Sequence, residues 1–406
     1  MELIVAKFGG TSIGDGEKIK KAAQSIVNEY MNGNKIVVVV SAINKTTNEL
    51  DKIMHDSTRG NISDKQKAEI FSMGEMTSVR IVSSAIESLG VKSVRIDPFS
   101  ELWPILTNNK FIESNIDFEK SVKQSQKLLN IVEQGIIPVV CGFLGKSQSG
   151  HITVLGRGGS DTTAFFLANS LNANQAIIVT DVDGVMTSDP NKLENVKKLD
   201  KISVEEMIDL SIHGNQVLHS NSLKYKSSSF DAKIISYKSG SLSDDGTLIV
   251  GPSEGKMVSS FMLHPEPISV VSVVGADILK SHGLLAELTS ILAKNKINIY
   301  GISTGKNSIT IFVDKKDVID AHRMLHSDVI ENNTLNSLSI GGKIAMLTFL
   351  SPEFIETPGI ISDITEPLRE NNINIVEISS SQTSIILFVD WNDGEKAYKL
   401  VKEVLK

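Results

Sequence analysis

Residues 307–314, Asn-Ser-Ile-Thr-Ile-Phe-Val-Asp, recur at 383–390 as Thr-Ser-Ile-Ile-Leu-Phe-Val-Asp, an offset of 76 residues. Ile297-Asn-Ile299 recurs at the same offset as Ile373-Asn-Ile375, and Gly283 as Gly359, each glycine just ahead of an amphipathic helical pattern. Three matched segments at one offset mark an internal repeat, and a repeat constrains the fold before any single element is assigned. Each copy reads strand, Gly-started helix, strand, strand, helix, strand, the order of a ferredoxin-like βαββαβ unit. Such a unit covers one face of its sheet with two helices and leaves strand edges free. Two copies can therefore pair edge to edge into a larger sheet, within one chain or across a dimer.

Residues 1–250 follow a different rule. Leu3–Lys7 reads as a strand, Lys18–Tyr30 as an amphipathic helix and Lys35–Ser41 (KIVVVVS) as a continuously apolar strand, as expected inside a sheet covered on both faces. Lys65–Leu89 reads as a helix stopped by Gly90, Val91–Ile96 as a strand, Phe118–Glu133 as one helix and Ile136–Cys141 as a strand. Gly145–Thr153 resembles a hairpin, Asp161–Leu171 a helix and Ala176–Asp181 a strand. Strands alternating with helices indicate an α/β domain with a mostly parallel sheet between helices. Gly, Pro and Ser cluster at 246–256, which places a boundary there. The expected domains are 1–250, a linker with a leading strand at 251–264, and repeat modules at 265–335 and 340–406.

Bulk properties narrow the function. A chain of 406 residues is long enough for two or three domains. Its net charge of −7 gives no reason to expect nucleic acid or an anionic membrane as partner. An anionic substrate would have to be held by a few local cations, and there are only six arginines. The single cysteine, Cys141, lies in an apolar run and reads as a small core residue. No apolar run approaches the roughly 20 residues of a membrane helix. The strand-like start without a basic leader fits a cytoplasmic protein.

Several motifs could carry chemistry. Lys7-Phe8-Gly9-Gly10-Thr11-Ser12 follows the first strand. Its glycines leave backbone N–H groups free to approach a phosphate, and Lys7 offers a point charge to a transferring phosphoryl group. From this segment alone, a Gly-rich turn beside a surface lysine fits equally well. The P-loop spacing GxxxxGK[ST] is absent from the chain. Gly156-Arg157-Gly158-Gly159-Ser160-Asp161 is sharper, because an Arg among three glycines can pair a planar carboxylate with both arms of its fork. Ser160 or Asp161 could cap the following helix. Thr180-Asp181-Val-Asp-Gly follows a buried strand, where open α/β sheets bind ligands, although turn chemistry alone would also place aspartates there. Ser41 and Thr47 could be substrate ligands or helix caps. Glu75 lies in a helical stretch beside Gly74, which would let another group approach closely. The eight histidines are read as forming no metal-ligating pair, and no metal is assigned to them. Neither a Ser-His-Asp nor a Cys-His constellation is evident. That suits an acceptor which is already an anion at neutral pH, such as a carboxylate. Phosphoryl transfer to it needs mainly positioning and charge neutralisation.

Taken together, KFGGTS at 7–12, SA-x4-TN at 41–48, GE at 74–75, LGRGGSDTTA at 155–164, TDVDGV at 180–185 and Val217-Leu-His219 resemble the aspartokinase family, within the amino-acid kinases. The C-terminal repeat resembles that family's tandem ACT modules. The resemblance covers essentially the whole chain. It implies phosphorylation of the side-chain carboxylate of aspartate by ATP, with Mg²⁺ held mainly by the nucleotide phosphates. By position, Lys7 and Asp161 would be catalytic, Asp161 orienting Lys7. Phe8, Gly9, Gly10, Ser12, Thr180, Asp181, Met186 and Gln216 would bind ATP. Ser41, Thr47, Glu75, Arg157, Gly158, Gly159 and Ser160 would bind aspartate, with Arg157 on its α-carboxylate. Three positions depart from the common pattern: Met186 replaces an aromatic, Asn191 an Arg and Gln216 a Lys, so two nucleotide cations are missing. A glutamate or acetylglutamate kinase is a rival reading, opposed by the repeat and the GRGGSD loop. An amino-acid sensor of weak activity is another, opposed by the intact Lys7, Arg157 and Asp161.

At the turn before the first copy's helix, Asp277, Ser281, His282 and Gly283 could hold a small amino acid, with a simple structural turn as the competing reading; the resemblance implies that this effector is lysine or threonine. Asp277 would accept the effector's ammonium group, and N–H groups at the start of the following helix would receive its carboxylate. A homodimer or a dimer of dimers through the ACT modules is the expected assembly.

Overall fold

The computed structural model describes residues 1–188, 193–212, 218–251, 260–276, 278, 281–331, 335–351, 354, 358–381 and 384–405; at 212, 220, 260 and 328–331 only the backbone is described. The chain divides into two units, Met1–Val258 and Ser259–Lys406.

In chain order the first unit contains β1 (Leu3–Phe8), α1 (Gly16–Met31), β2 (Lys35–Val40), α2 (Thr46–Thr58), α3 (Asp64–Glu87), β3 (Ser93–Ile96) and β4 (Leu106–Thr107). Next come α4 (Phe118–Ser125), α5 (Lys127–Glu133), β5 (Ile137–Cys141), β6 (Leu144–Ser147), β7 (Ile152–Val154), α6 (Gly159–Ser170) and β8 (Gln175–Thr180). β9 (Lys201–Ser203), α7 (Val204–Ile212), α8 (Ser220–Leu223), β10 (Asp231–Ser236) and β11 (Thr247–Val250) complete it. The main sheet runs β3-β5-β2-β1-β8-β10-β11-β9. From β3 to β10 every pairing is parallel, and β11 turns antiparallel to β10. β1 and β2 are buried along nearly their whole length, which is why both are uninterrupted apolar runs. Each such Val or Ile contributes roughly 1.5–3 kcal/mol on leaving water.

Local signals set the helix starts. Asp15, Ser63 and Asp117 accept from the N–H groups of Lys18, Gln66 and Lys120 and so cap α1, α3 and α4. The single helix expected over 118–133 is two, α4 and α5. Between them Ser125 Oγ and Gln126 Nε2 donate to Ser170 Oγ and Ser170 O at the end of α6, and this tertiary anchor interrupts the helix. The expected hairpin is β6 and β7, which with β4 forms a three-stranded sheet. Cys141 is fully buried in β5, and burial pushes its thiol pKa well up, as expected of a core residue.

The second unit contains β12 (Ser260–Leu263), β13 (Ile268–Gly275), α9 (Leu284–Lys294), β14 (Ile299–Thr304), β15 (Ser308–Asp314), α10 (Val318–Glu331) and β16 (Leu335–Ile340). Then follow β17 (Ile344–Leu350), α11 (Ile360–Glu370), β18 (Ile375–Ser380), β19 (Ser384–Asp390) and α12 (Gly394–Val404). Eight strands form one sheet whose central path is β14-β15-β13-β17-β19-β18. The first copy is complete in sequence, with β16 pairing β13. The second copy corrects the expected order. No strand follows α12 among the described residues, and its fourth strand is β12, from ahead of the first copy, paired antiparallel to β17. The free edge of β17 is thereby covered.

The copies join inside the chain. β13 meets β17 at Ile268↔Ile344, and Phe312 stacks on Phe388 with ring centroids 4.1 Å apart. Both pairs are related by the 76-residue offset, so equivalent side chains pack on each other. Ile268, Phe312, Ile344, Met346 and Phe388 form a core of their own, separate from the two clusters under the helices. Gly283 and Gly359 both stand at the helix N-cap with φ of 86° and 88°, a conformation that favours glycine. Among the described residues, no helix is long and apolar enough to cross a membrane.

Phe388→Ala is expected to destabilise the second unit by about 3 kcal/mol, by loss of buried area and of the stacked ring. Urea unfolding of the full chain followed through Trp391, with Trp103→Phe to silence the other indole, measures it. An unchanged midpoint would mean that the seam does not hold the two copies together.

Candidate active site

The C-terminal end of β1 carries Lys7, and α6 presents Asp161 to it. Lys7 Nζ lies 2.6 Å from Asp161 Oδ1, both side chains about nine-tenths buried. No hydrogen bond of good direction reaches that oxygen among the described residues, so the contact is an ion pair. Sequence neighbours of Lys7 are held as tightly. Gly9 N–H and Ser12 Oγ both donate to Val179 O at the end of β8. A Cβ on Gly10 would sit 2.5 Å from Ala42 O, so the loop after β2 closes directly onto this glycine.

That loop brings in a second group of residues. Ser41 immediately follows β2, and Ser78 Oγ of α3 donates to its carbonyl. Thr47 lies in the first turn of α2, whose N-cap, Lys45, has no capping side-chain hydrogen bond, so neither Ser41 nor Thr47 is a helix cap. Gly74 does allow close approach: its missing Cβ leaves room for the chain's own Ala42. The same contact places Glu75 at the loop, where its Oε1 accepts from Ala42 N–H at 3.3 Å. Glu75 is 3% exposed, and its Oε2 has no partner. Burial pushes its pKa up to about 8, against the opposing pull of backbone hydrogen bonds.

The Gly-rich segment before α6 closes the site. Gly158, at φ 70°, is the N-cap of α6 with no capping side chain, so Ser160 and Asp161 are first-turn residues and not the cap. A Cβ on Gly158 would meet His219 Cβ at 2.4 Å, so the backbone there needs glycine both for its conformation and for its neighbour. Arg157 is exposed and has no carboxylate within ion-pair distance among the described residues.

Lys7, Ser41, Thr47, Glu75, Arg157 and Ser160 all face one cavity of about 270 Å³, together with Gly158, Gly159 and Asp161. Phe143 also lines it and was missed in the sequence. Its φ of 66° is unusual for a bulky residue, and its ring fills the space where a Cβ on Gly159 would lie. The only signal was Gly142-Phe143 at the end of an apolar strand. Another crevice, between α1 and Tyr237 and also lined by Phe8 and Ser12, holds about 20 Å³.

Thr180 ends β8, one residue past the Phe8↔Val179 pairing, and Asp181 follows it, with Thr180 Oγ1 donating to Asp181 Oδ1 at 3.2 Å. Met186 is half-buried and bridges Lys198. Gln216, Asn191 and Asp277 lie outside the described residues. Ser281, His282 and Gly283 immediately precede α9. The reading that no histidines stand at metal-ligating spacing is corrected: His322 and His326 are four apart in α10, with ring centroids 6.1 Å apart. No group of three or more candidate metal ligands exists among the described residues.

Comparison with known proteins gives consistent matches. The amino acid kinase family matches residues 2–236, and ACT domains match 271–329 and 339–403. The chain is 30% identical over 419 residues to aspartokinase 2 of Bacillus subtilis, covering 100% of this chain and 98% of that one. It is 30% identical over 415 residues to an aspartokinase of Corynebacterium glutamicum, covering 99% and 96%. Among solved structures, the aspartate kinase from Synechocystis superposes with a TM-score of 0.82 at 25% identity, over 98% of this chain and 69% of that one. The structure of E. coli aspartokinase III in complex with aspartate and ADP shares the fold, with a TM-score of 0.54 at 22% identity over the full length of both chains.

The buried Glu75 has a consequence for stability. Its pKa rises from an ordinary 4.5 to about 8 on folding, so between those values the folded chain holds a proton that the unfolded chain has released. Stability from this group therefore falls as pH rises through that window. Glu75→Gln should remove the slope, raising Tm above wild type by several degrees at pH 8 and by much less near pH 5. A Tm difference that is constant between these pH values would show that the carboxyl does not titrate in this way.

Proposed function

Because this chain belongs to the aspartokinases, a branch of the amino acid kinase family, we propose that it transfers the γ-phosphoryl group of ATP to the β-carboxylate of L-aspartate, giving 4-phospho-L-aspartate and ADP. The observation that carries this reading is how the charges in the cavity are sorted. Asp161 is taken by Lys7. Among the lining residues that leaves one carboxyl group, Glu75, for a cation and one unpaired cation, Arg157, for an anion. An α-amino acid presents both charges, its ammonium to Glu75 and its α-carboxylate to the guanidinium fork.

The side-chain carboxylate then lies towards Lys7 and attacks without a general base, being already ionised. Lys7, aimed by Asp161, neutralises charge that builds on the transferring phosphoryl group. Gly9 N–H is taken by Val179 O, so the N–H groups just after it, from Gly10 onward, and those at the start of α6 are the ones that favour phosphate oxygens. Thr180, Asp181, Met186 and Gln216 are proposed for the rest of the nucleotide. Mg²⁺ bound with ATP would offset phosphate charge. The metal is proposed to be held mainly by the phosphates.

The reaction would open cytoplasmic synthesis of the aspartate-derived amino acids lysine, threonine and methionine. The ACT modules suit feedback by lysine or threonine bound near Ser281, His282 and Gly283, in a dimer or dimer of dimers formed through them.

Trapping the acyl phosphate as a hydroxamate, with aspartate and glutamate side by side, tests the proposal, and adding lysine or threonine to the same assay reads the regulation. Product with glutamate and none with aspartate would overturn the acceptor assignment. In that assay Lys7→Ala is expected to lower kcat by roughly 10²–10³ while KM for aspartate changes little; a near-normal kcat would remove Lys7 from the mechanism. Arg157→Lys keeps the charge but loses the fork, and should lower kcat/KM for aspartate by roughly tenfold or more with ATP affinity held. Collapse of ATP binding at an unchanged KM for aspartate would instead assign Arg157 to the nucleotide.

A further inference from the structure

We propose that Glu75 waits in the empty cavity as a neutral carboxylic acid, and that docking of the acceptor's ammonium group expels its proton to solvent. Acceptor binding and proton release are then one event. The proposal rests on the assignment of an amino-acid acceptor made above.

Its ground is the geometry around the carboxyl. Glu75 is placed by α3 against the Ala42 loop, where one oxygen is met by a single backbone N–H and the other by nothing. A carboxylate so enclosed with one oxygen unsatisfied is costly, and protonation is the inexpensive way to remain there. The charged groups around it do not relieve this. Lys7 of β1, which lines the cavity from the sheet, is committed to Asp161 of α6. Arg157, in the loop before α6, is exposed. Arg80, on α3 itself, is paired with Asp97 beyond β3 at 2.8 Å. Cys141 of β5 is buried and carries no charge at neutral pH, its pKa being pushed well up. Ser41 and Thr47 bring only hydroxyl groups.

An ammonium group entering the cavity supplies what is missing. It donates to the orphaned oxygen and stabilises the ionised form. The O–H bond of Glu75 breaks, its electron pair stays on the carboxylate, and the proton passes to buffer. The raised pKa of about 8 sets the range over which the exchange is visible. Below it, each unit of acidity adds about tenfold to the apparent dissociation constant for aspartate, because a proton must be displaced. ATP, which carries no ammonium group, should show no such dependence on Glu75. The same device makes the site respond to the charge of the amino group. Succinate, identical in its carboxylates, cannot drive the exchange.

Isothermal titration of the full-length protein with aspartate at pH 7, in two buffers of different ionisation enthalpy, counts the protons. We expect release of about one proton per aspartate bound, with the aspartate Kd weakening about tenfold between pH 7 and pH 6. Glu75→Gln, nearly the same in shape, should bind aspartate more weakly at pH 8, release no proton and lose the pH dependence. Aspartate binding without proton release, or the same release from Glu75→Gln, would overturn the proposal and leave the acceptor assignment standing. Absence of aspartate binding in the wild-type protein would overturn both. If Glu75→Gln fails to fold, the loss of the protonated-carboxyl infrared band on adding aspartate, and its persistence on adding succinate, decides the question on the wild-type chain.

Discussion

The ion pair between Lys7 and Asp161 organises the catalytic unit. It joins the end of the central strand β1 to the first turn of α6, two elements 154 positions apart in sequence. Buried pairs of this kind contribute little net stability, because desolvation offsets most of the attraction. Its value here is positional. The lysine is fixed at the mouth of the sheet, and Asp161 is removed from the charges that a ligand can meet. What remains facing the cavity is one buried acid, Glu75, and one exposed guanidinium, Arg157. The selectivity proposed for the site follows from that subtraction.

Close packing of backbone around the pair serves the same end. Gly10 accepts the Ala42 loop at a distance no side chain would permit, and Gly158 does the same for His219. These approaches draw the loops tightly around the cavity, where Glu75 is only 3% exposed. Burial that would be a defect in a structural helix becomes a source of chemistry, since a carboxyl group starved of partners responds strongly to any cation that arrives.

The second unit shows a related economy. Its two copies share one sheet, and β12 completes the copy that lies farther along the chain. Residues 260–263 and 347–350 must therefore meet before the second module is whole, which makes the unit interdependent from end to end. The stacking of Phe312 on Phe388 places equivalent positions of the repeat face to face in a small core of their own.

Much of this was legible in the sequence, and the reason is physical in each case. Continuous apolar runs revealed β1 and β2, because a strand covered on both faces has no polar side to show. The 76-residue offset revealed the tandem modules, because each copy must bury the same face. Glycine spacing around Lys7 and Arg157 marked the two loops that meet at the cavity, because close backbone approach needs residues without side chains. Other features were decided only by tertiary contacts. Local signals could not separate α4 from α5, since the break lies where Ser170 of another helix accepts from Ser125 and Gln126. They could not assign β12 to the second module, since a strand's partner is not written in its own residues. The Gly142-Phe143 step at the end of an apolar strand was too weak a signal to mark Phe143 as a wall of the cavity. Above all, although the Gly-Glu pair singled out Glu75, local signals could not show that it is buried. Its burial, its unpaired oxygen and its raised pKa arise from a loop 33 residues away in sequence that folds against it, and only the closed structure brings the two together.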